Sequence, residues 1–155
     1  MAGNPVIKAR WLALAVPLAL LGGALVAQYG FGLYPCEMCW WQRYAHMAAL
    51  ALAVLAFLRP PGRAFVALAA AAIAISAAIG FFHAGVEYHW WQGFTECTSY
   101  AAKGGDPLEA IMNAPLIRCD VAQWTLFGIS LAGFNFLLSG AGAAAIFALL
   151  ARKAR

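Results

Sequence analysis

The chain has 155 residues, 65% of them hydrophobic and only 10% charged. Soluble domains carry about 25% charged residues, so the composition excludes an ordinary soluble protein and indicates a membrane protein. The net charge of +4 does not indicate nucleic-acid binding, because the basic residues flank apolar runs and form no patch among exposed aromatics.

A membrane-crossing helix needs about 20 mostly apolar residues. Four segments meet this, at about 11–31, 40–58, 64–82 and 124–150. The first is too long for the apolar core of a signal peptide and ends without a small-x-small cleavage site, so it is read as a span. The fourth exceeds what a bilayer requires and is expected to tilt, extend past the interface, or kink near Gly128, Gly133 or Gly140. Arg59-Pro60-Pro61-Gly62-Arg63 is a helix-breaking turn that makes spans two and three antiparallel neighbours. The predicted fold is therefore an all-α membrane protein, a single domain over residues 1–155. It is a four-transmembrane-helix bundle with one long outer loop at about 83–123. Loops of that length tend to be functional.

Within the loop, Asp106-Pro107-Leu108-Glu109 resembles a helix start, with an N-cap and a proline in the first turn. A short interfacial helix over 106–113 is expected, its Leu108, Ile111 and Met112 face resting on the membrane. Trp90, Trp91 and Phe94 are expected at the aromatic belt. The cations divide by side: Lys8, Arg10, Arg59, Arg63, Arg152, Lys153 and Arg155 fall on one side of the four-span arrangement. Arg43, Lys103 and Arg118 fall on the other, with all the acids. The positive-inside rule puts both termini in the cytoplasm.

Cys36, Cys39, Cys97 and Cys119 then all lie at or beyond the outer surface. An even cysteine count in an oxidising compartment reads as disulfides, and four cysteines allow three connectivities. Cys36-Glu-Met-Cys39 is a C-x-x-C pair. Pro35 before it suits a helix start, which puts Cys36 where free backbone amides and the helix dipole favour a thiolate. Arg43 is four residues past Cys39 and seven past Cys36, so all three share a helical face. A guanidinium there can stabilise a thiolate or a carbonyl oxygen that gains negative charge on reduction. Cys97 and Cys119 form no second C-x-x-C pair, which argues against a four-thiolate zinc site. Residue 40 is Trp, which excludes a C-x-x-C-H haem attachment. No metal is expected. His46, three residues past Arg43, is read as a packed or interhelical hydrogen-bonding residue.

Pro35-Cys36-Glu37-Met38-Cys39-Trp40-Trp41-Gln42-Arg43 resembles the P-C-x-x-C-x-x-[QE]-R signature of the disulfide bond formation protein B (DsbB) family. Cys97, Cys119 and the segment from Cys119 through Trp124 to Gly128 are similar to its second cysteine pair and the entry to its last helix. The resemblance implies a thiol:quinone oxidoreductase of the bacterial inner membrane, with its cysteines on the periplasmic side. Such an enzyme reoxidises a periplasmic thioredoxin-fold partner of the DsbA type and passes the electrons to membrane quinone (ubiquinone or menaquinone), supporting disulfide bond formation. By the same resemblance, Cys97 takes the attack of the reduced partner. Cys119 pairs with Cys97 and can re-pair with Cys36, and Cys39 is the thiolate beside the quinone. Arg43 orients or polarises the quinone and Gln28 contacts it. The family also has a quinone-proximal histidine. His83 fits better than His89, since it ends a helix at the bundle mouth with Glu87 one turn on.

Overall fold

The computed structural model describes residues 4–60, 62–93, 98–99 and 116–152. Four helices dominate: α1 Pro5–Phe31, α2 Glu37–Leu58, α3 Arg63–Glu87 and α4 Leu131–Ala151. α3 packs against α2 and α4, and α1 closes the ring against α2 and α4. α1, α3 and α4 are long and apolar enough to cross a membrane. Leu18, Leu25, Leu68, Ile75, Leu137 and Leu138 are exposed on the outside, as expected of a bundle solvated by lipid.

The helix boundaries follow local chemistry. α1 begins six residues before the expected span because Asn4 Oδ1 accepts from the amide of Val6 at 3.0 Å and Pro5 occupies the first turn. α3 runs five residues past its expected end, so the outer connection starts at Tyr88 and not at 83. There the chain reverses: His89 has φ 59 and the Trp90 amide returns to Gly85 O at 2.8 Å. Trp91 folds back onto α3, its Nε1 donating to Phe82 O at 2.9 Å and its ring stacking on Phe82. Trp90 remains exposed.

The expected fourth span, from residue 124, is corrected. Residues 125–130 form a hairpin of β3 (Thr125–Leu126) and β4 (Ile129–Ser130), with Thr125 opposite Ser130. Phe127 and Gly128 both have positive φ, 52 and 78, which matches the twist of a two-residue hairpin turn and rules out continuous helix. Ser130 then caps α4, its Oγ accepting from the Gly133 amide at 3.1 Å. Tyr88 fastens the hairpin to the end of α3: its hydroxyl donates to Gly128 O and accepts from Ser130 N, each at 2.9 Å. A second short pairing joins β1 (Thr98–Ser99) to β2 (Leu116–Ile117). The expected helix at 106–113, with Phe94, lies outside the described residues.

The bundle is layered along its axis. At the end holding the termini, the core is alanine-rich, with Ala9, Ala13, Ala49, Ala53, Ala69 and Ala143 around Val66, Ile73 and Ile146. Small residues let helices approach closely where lipid supplies no hydrophobic drive to associate. Arg63 reaches Leu150 O at this end, and Arg10 lies over the Phe57 ring. At the opposite end Cys36, Met38, Val86, Ile117 and Cys119 form a second buried cluster. Gln42, His46, Ser76, Asn135 and Ser139 form a polar layer between them, with His46 bonded across helices as expected.

A close helix approach occurs at Gly80 of α3, against α4. A Cβ there would lie 2.9 Å from Asn135 Nδ2 and 3.0 Å from Ala132 O. Gly80→Val should therefore destabilise the bundle by about 1–3 kcal/mol. Gly22→Ala, at a position facing open space, should leave the thermal midpoint in detergent nearly unchanged. Equal midpoints for both variants would contradict this packing.

Candidate active site

Pro35 and Cys36 lead into α2, and Cys36 is its N-cap. Its φ and ψ are −76 and 178, and its Sγ accepts from the Cys39 amide at 3.4 Å. Sulfur thus takes the capping role usually played by a hydroxyl or carboxylate. One turn on, Cys39 Sγ lies 3.1 Å from Cys36 Sγ, with the Cys36 thiol donating. Cys36 is 1% exposed. Its thiol is held well above the ordinary range, first by hydrogen bonding with Cys119, then by Cys39 and by burial. Cys119, in the same buried cluster, is brought to Cys36 across 83 residues of chain. Beside it, Arg118 forms a two-pronged pair with exposed Asp120 and lowers that carboxyl to about 2.

His83 completes this side of the site. Its Nε2 is 3.5 Å from Cys36 Sγ and 3.7 Å from Glu87 Oε1. Its Nδ1 takes the Gln42 amide at 3.0 Å. Gln42 also donates to Met38 O and accepts from Asn135 Nδ2 at 2.7 Å. Asn135 in turn bonds Ser76 O and Oγ, and its Oδ1 accepts from His46 Nε2 and Ser139 Oγ, both at 2.9 Å. A buried polar chain thus links α2, α3 and α4 to the imidazole beside the cysteines. Because the Gln42 amide nitrogen donates to Nδ1, the His83 proton sits on Nε2, toward Cys36 and Glu87.

Arg43 points the other way, toward α1. Its Nη1 donates to Gln28 Oε1 at 2.5 Å and its Nη2 to Ala24 O at 3.1 Å. It also lies 5.1 Å from the centre of the Trp40 ring. These contacts hold the guanidinium at the wall of a cavity of about 410 Å³ between α1, α2 and α4. Apolar residues such as Leu20, Leu21, Leu131 and Leu138 line most of it, with Cys39, Gln42, Arg43, His46 and Asn135 as its polar edge. A volume of roughly 300–1,000 Å³ with few convergent polar groups is typical of a small-molecule site. A smaller space of about 40 Å³ lies on the far side of the cysteines, against Cys36, Cys39, His83 and Glu87.

Among the residues singled out by sequence, the structure gathers Cys36, Cys39, Cys119 and His83 on one side and Cys39 and Arg43 on the other. Gln28 is reached through Arg43. His83 lines the small space and not the large cavity, while His89 is exposed at the turn beyond α3. Cys97 lies outside the described residues. Asn135, Ser76 and Ser139 were missed by the sequence reading. The available signal was a side-chain amide and two hydroxyls inside otherwise apolar runs, where polar groups seek interhelical partners.

The contacts of Cys36 carry a reactivity consequence. In reduced protein at pH 8, Cys36 should be the slowest of Cys36, Cys39 and Cys119 to alkylate, read by mass spectrometry. Cys119→Ala removes the largest influence on the Cys36 thiol and should accelerate its labelling severalfold. Unchanged labelling in that variant would contradict the proximity.

The sequence model of the family "Disulfide bond formation protein DsbB" matches residues 8–149. A disulfide bond formation protein B of Aromatoleum aromaticum is 32% identical, over 90% of this chain and 89% of its own length. One from Verminephrobacter eiseniae is also 32% identical, over 89% of this chain and 82% of its own. A Neisseria meningitidis relative reaches 40% identity over 47% of this chain and 46% of its own. No solved structure matches the chain. With its C-x-x-C pair capping a helix of an apolar bundle, and with a family match over nearly its whole length, this chain is a membrane protein that belongs to the DsbB family of disulfide bond formation proteins.

Proposed function

We propose that the chain is a thiol:quinone oxidoreductase that reoxidises a DsbA-like thioredoxin-fold dithiol protein in the periplasm and delivers the electrons to membrane quinone. The observation that carries this reading is the position of Cys39. Of the three described cysteines it alone borders both the small space beside Cys36 and His83 and the large apolar cavity beside Arg43. A thiol exchanging with its neighbour on one side and meeting an apolar electron acceptor on the other needs this arrangement. In the proposed topology α2 is a fourth span despite its polar face, both termini are cytoplasmic, and the cysteines lie at the periplasmic surface of the inner membrane.

The cavity suits a quinone head group: apolar walls, one cation and one sulfur nucleophile. Quinone supplies the capacity to accept two electrons and two protons. Arg43 has five N–H donors, of which two are held by α1, leaving others to face a carbonyl oxygen and the charge it gains. Gln28 and Ala24 O fix the guanidinium so that this costs no reorganisation. The Cys36 S–H bond to Cys39 favours charge on Cys39 sulfur, the one nearer the acceptor.

The electron path is a sequence of thiolate attacks. The partner's dithiol breaks the Cys97–Cys119 disulfide and becomes a disulfide itself. Cys119, already beside Cys36, exchanges with the Cys36–Cys39 disulfide and frees Cys39 as a thiolate. Cys97 then attacks Cys119, re-forming Cys97–Cys119 and releasing Cys36, and Cys36 and Cys39 close again as their two electrons and two protons pass to the quinone.

Turnover is read as loss of quinone absorbance with a reduced thioredoxin-fold donor. Cys39→Ser should abolish it. Cys97→Ala should block electron entry while leaving quinone affinity intact. Arg43→Gln should raise KM for quinone at least tenfold, about 1.4 kcal/mol, with a smaller change for the protein donor. Normal turnover in the Cys39 and Cys97 variants would overturn the proposal.

A further inference from the structure

Cys36 Sγ, Cys39 Sγ and a ring nitrogen of His83 lie within 4.8 Å of one another. We propose that the reduced site is also a binding site for a thiophilic divalent cation of the zinc class, held by Cys36, Cys39 and His83 Nε2. The cysteine spacing offers no four-thiolate zinc site. The fold supplies a different set, two thiolates and one imidazole from α3, which the sequence places 44 residues after Cys39.

Size and chemistry agree. Tetrahedral zinc with Zn–S of about 2.3 Å and Zn–N of about 2.0 Å separates its ligand atoms by roughly 3.4–3.8 Å. Cys36 Sγ to His83 Nε2 is already 3.5 Å, and the sulfur pair, at 3.1 Å, needs to open by well under an ångström. Three protein ligands leave a fourth position. Glu87 stands beside it, Oε1 3.7 Å from His83 Nε2, and its Oε2 is buried without a hydrogen-bond partner. A buried carboxylate oxygen with an open lone pair can accept from a metal-bound water. The small space lined by Cys36, Cys39, His83 and Glu87 gives the ion room, and the cation lining it, Arg118, is paired with Asp120.

Binding displaces one proton from each thiol, and the His83 proton moves from Nε2 to Nδ1. Nδ1–H then makes the outer hydrogen bond that metal-bound histidines use to Gln42 Oε1 only if that amide turns end for end and gives up its present bonds to Met38 O and Asn135 Nδ2. Two thiolates and a divalent ion sum to zero charge, which suits a buried site. No electrons move. The ion holds the pair as thiolates and prevents its closure to a disulfide, so metal and oxidation compete for the same sulfurs.

Cobalt(II) is the probe. Full-length protein, reduced with a phosphine and freed of it, is titrated with Co²⁺ in detergent. The expected result is thiolate-to-cobalt absorption at one ion per chain, reversed by Zn²⁺ and absent after oxidation of the same wild-type sample, which serves as the folded control. The absorption should persist in Cys97→Ser/Cys119→Ser and vanish in Cys39→Ser. His83→Ala should weaken affinity at least about tenfold, and Glu87→Gln should weaken it less. Absence of the band in reduced wild type, its loss in the Cys97/Cys119 variant, or its persistence at full affinity in His83→Ala would each overturn the site. The readout uses neither quinone nor protein donor, so such a failure leaves the oxidoreductase reading standing.

Discussion

The amide of Asn135 is the contact on which the loop end of this bundle depends. In an apolar surrounding an unsatisfied amide is costly, so Asn135 can be buried only where α2 and α3 offer it partners. It takes Gln42 Oε1 and Ser76 on one side and His46 and Ser139 on the other. Those bonds set the rotation of α2 about its axis. With α2 so turned, Gln42 meets His83, Cys39 lies between two spaces, and Arg43 faces α1. Gly80 makes this possible by leaving room for Asn135 against α3.

The different surroundings of the two neighbouring cysteines follow from that rotation together with the helix cap. Cys36 precedes the first turn and is buried against Cys119. Cys39 is inside the helix and borders the apolar cavity. One turn of helix separates a sulfur buried against Cys119 from one that lines the apolar cavity. Tyr88 and the 125–130 hairpin bear on the same geometry from the other side. They fix the entry to α4 against the end of α3, and Gln123, just before the hairpin, reaches Tyr34 O at 2.6 Å in the α1–α2 connection.

The helical architecture was legible because length, apolarity and turn chemistry are local. Pro60, Gly62 and the flanking arginines marked the α2–α3 turn, and Pro35 marked the start of α2. Boundaries were less legible where a few residues decide them. Apolarity alone carried the fourth span back to residue 124, since Thr125–Ser130 is as apolar as the helix it precedes. The two positive φ values at Phe127 and Gly128 break it there. Cys36, Cys39 and Arg43 were legible as one helical face; in the structure Cys36 caps the helix beside His83, and Arg43, two turns on, turns toward α1. The partition of that face between two spaces was not legible, because it depends on which neighbours pack on each flank.

What the sequence determined by itself was the set of apolar helices, the C-x-x-C pair at a helix start, the cation beside it and the family to which they belong. These depend on spacing along one helix or on composition. What only the tertiary structure decided was which distant groups meet the pair. Cys119 at Cys36, His83 with Glu87 beside the sulfurs, and Asn135 behind Gln42 come from other elements. Their meeting depends on the relative rotation of packed helices, a property of several segments together that no local pattern encodes.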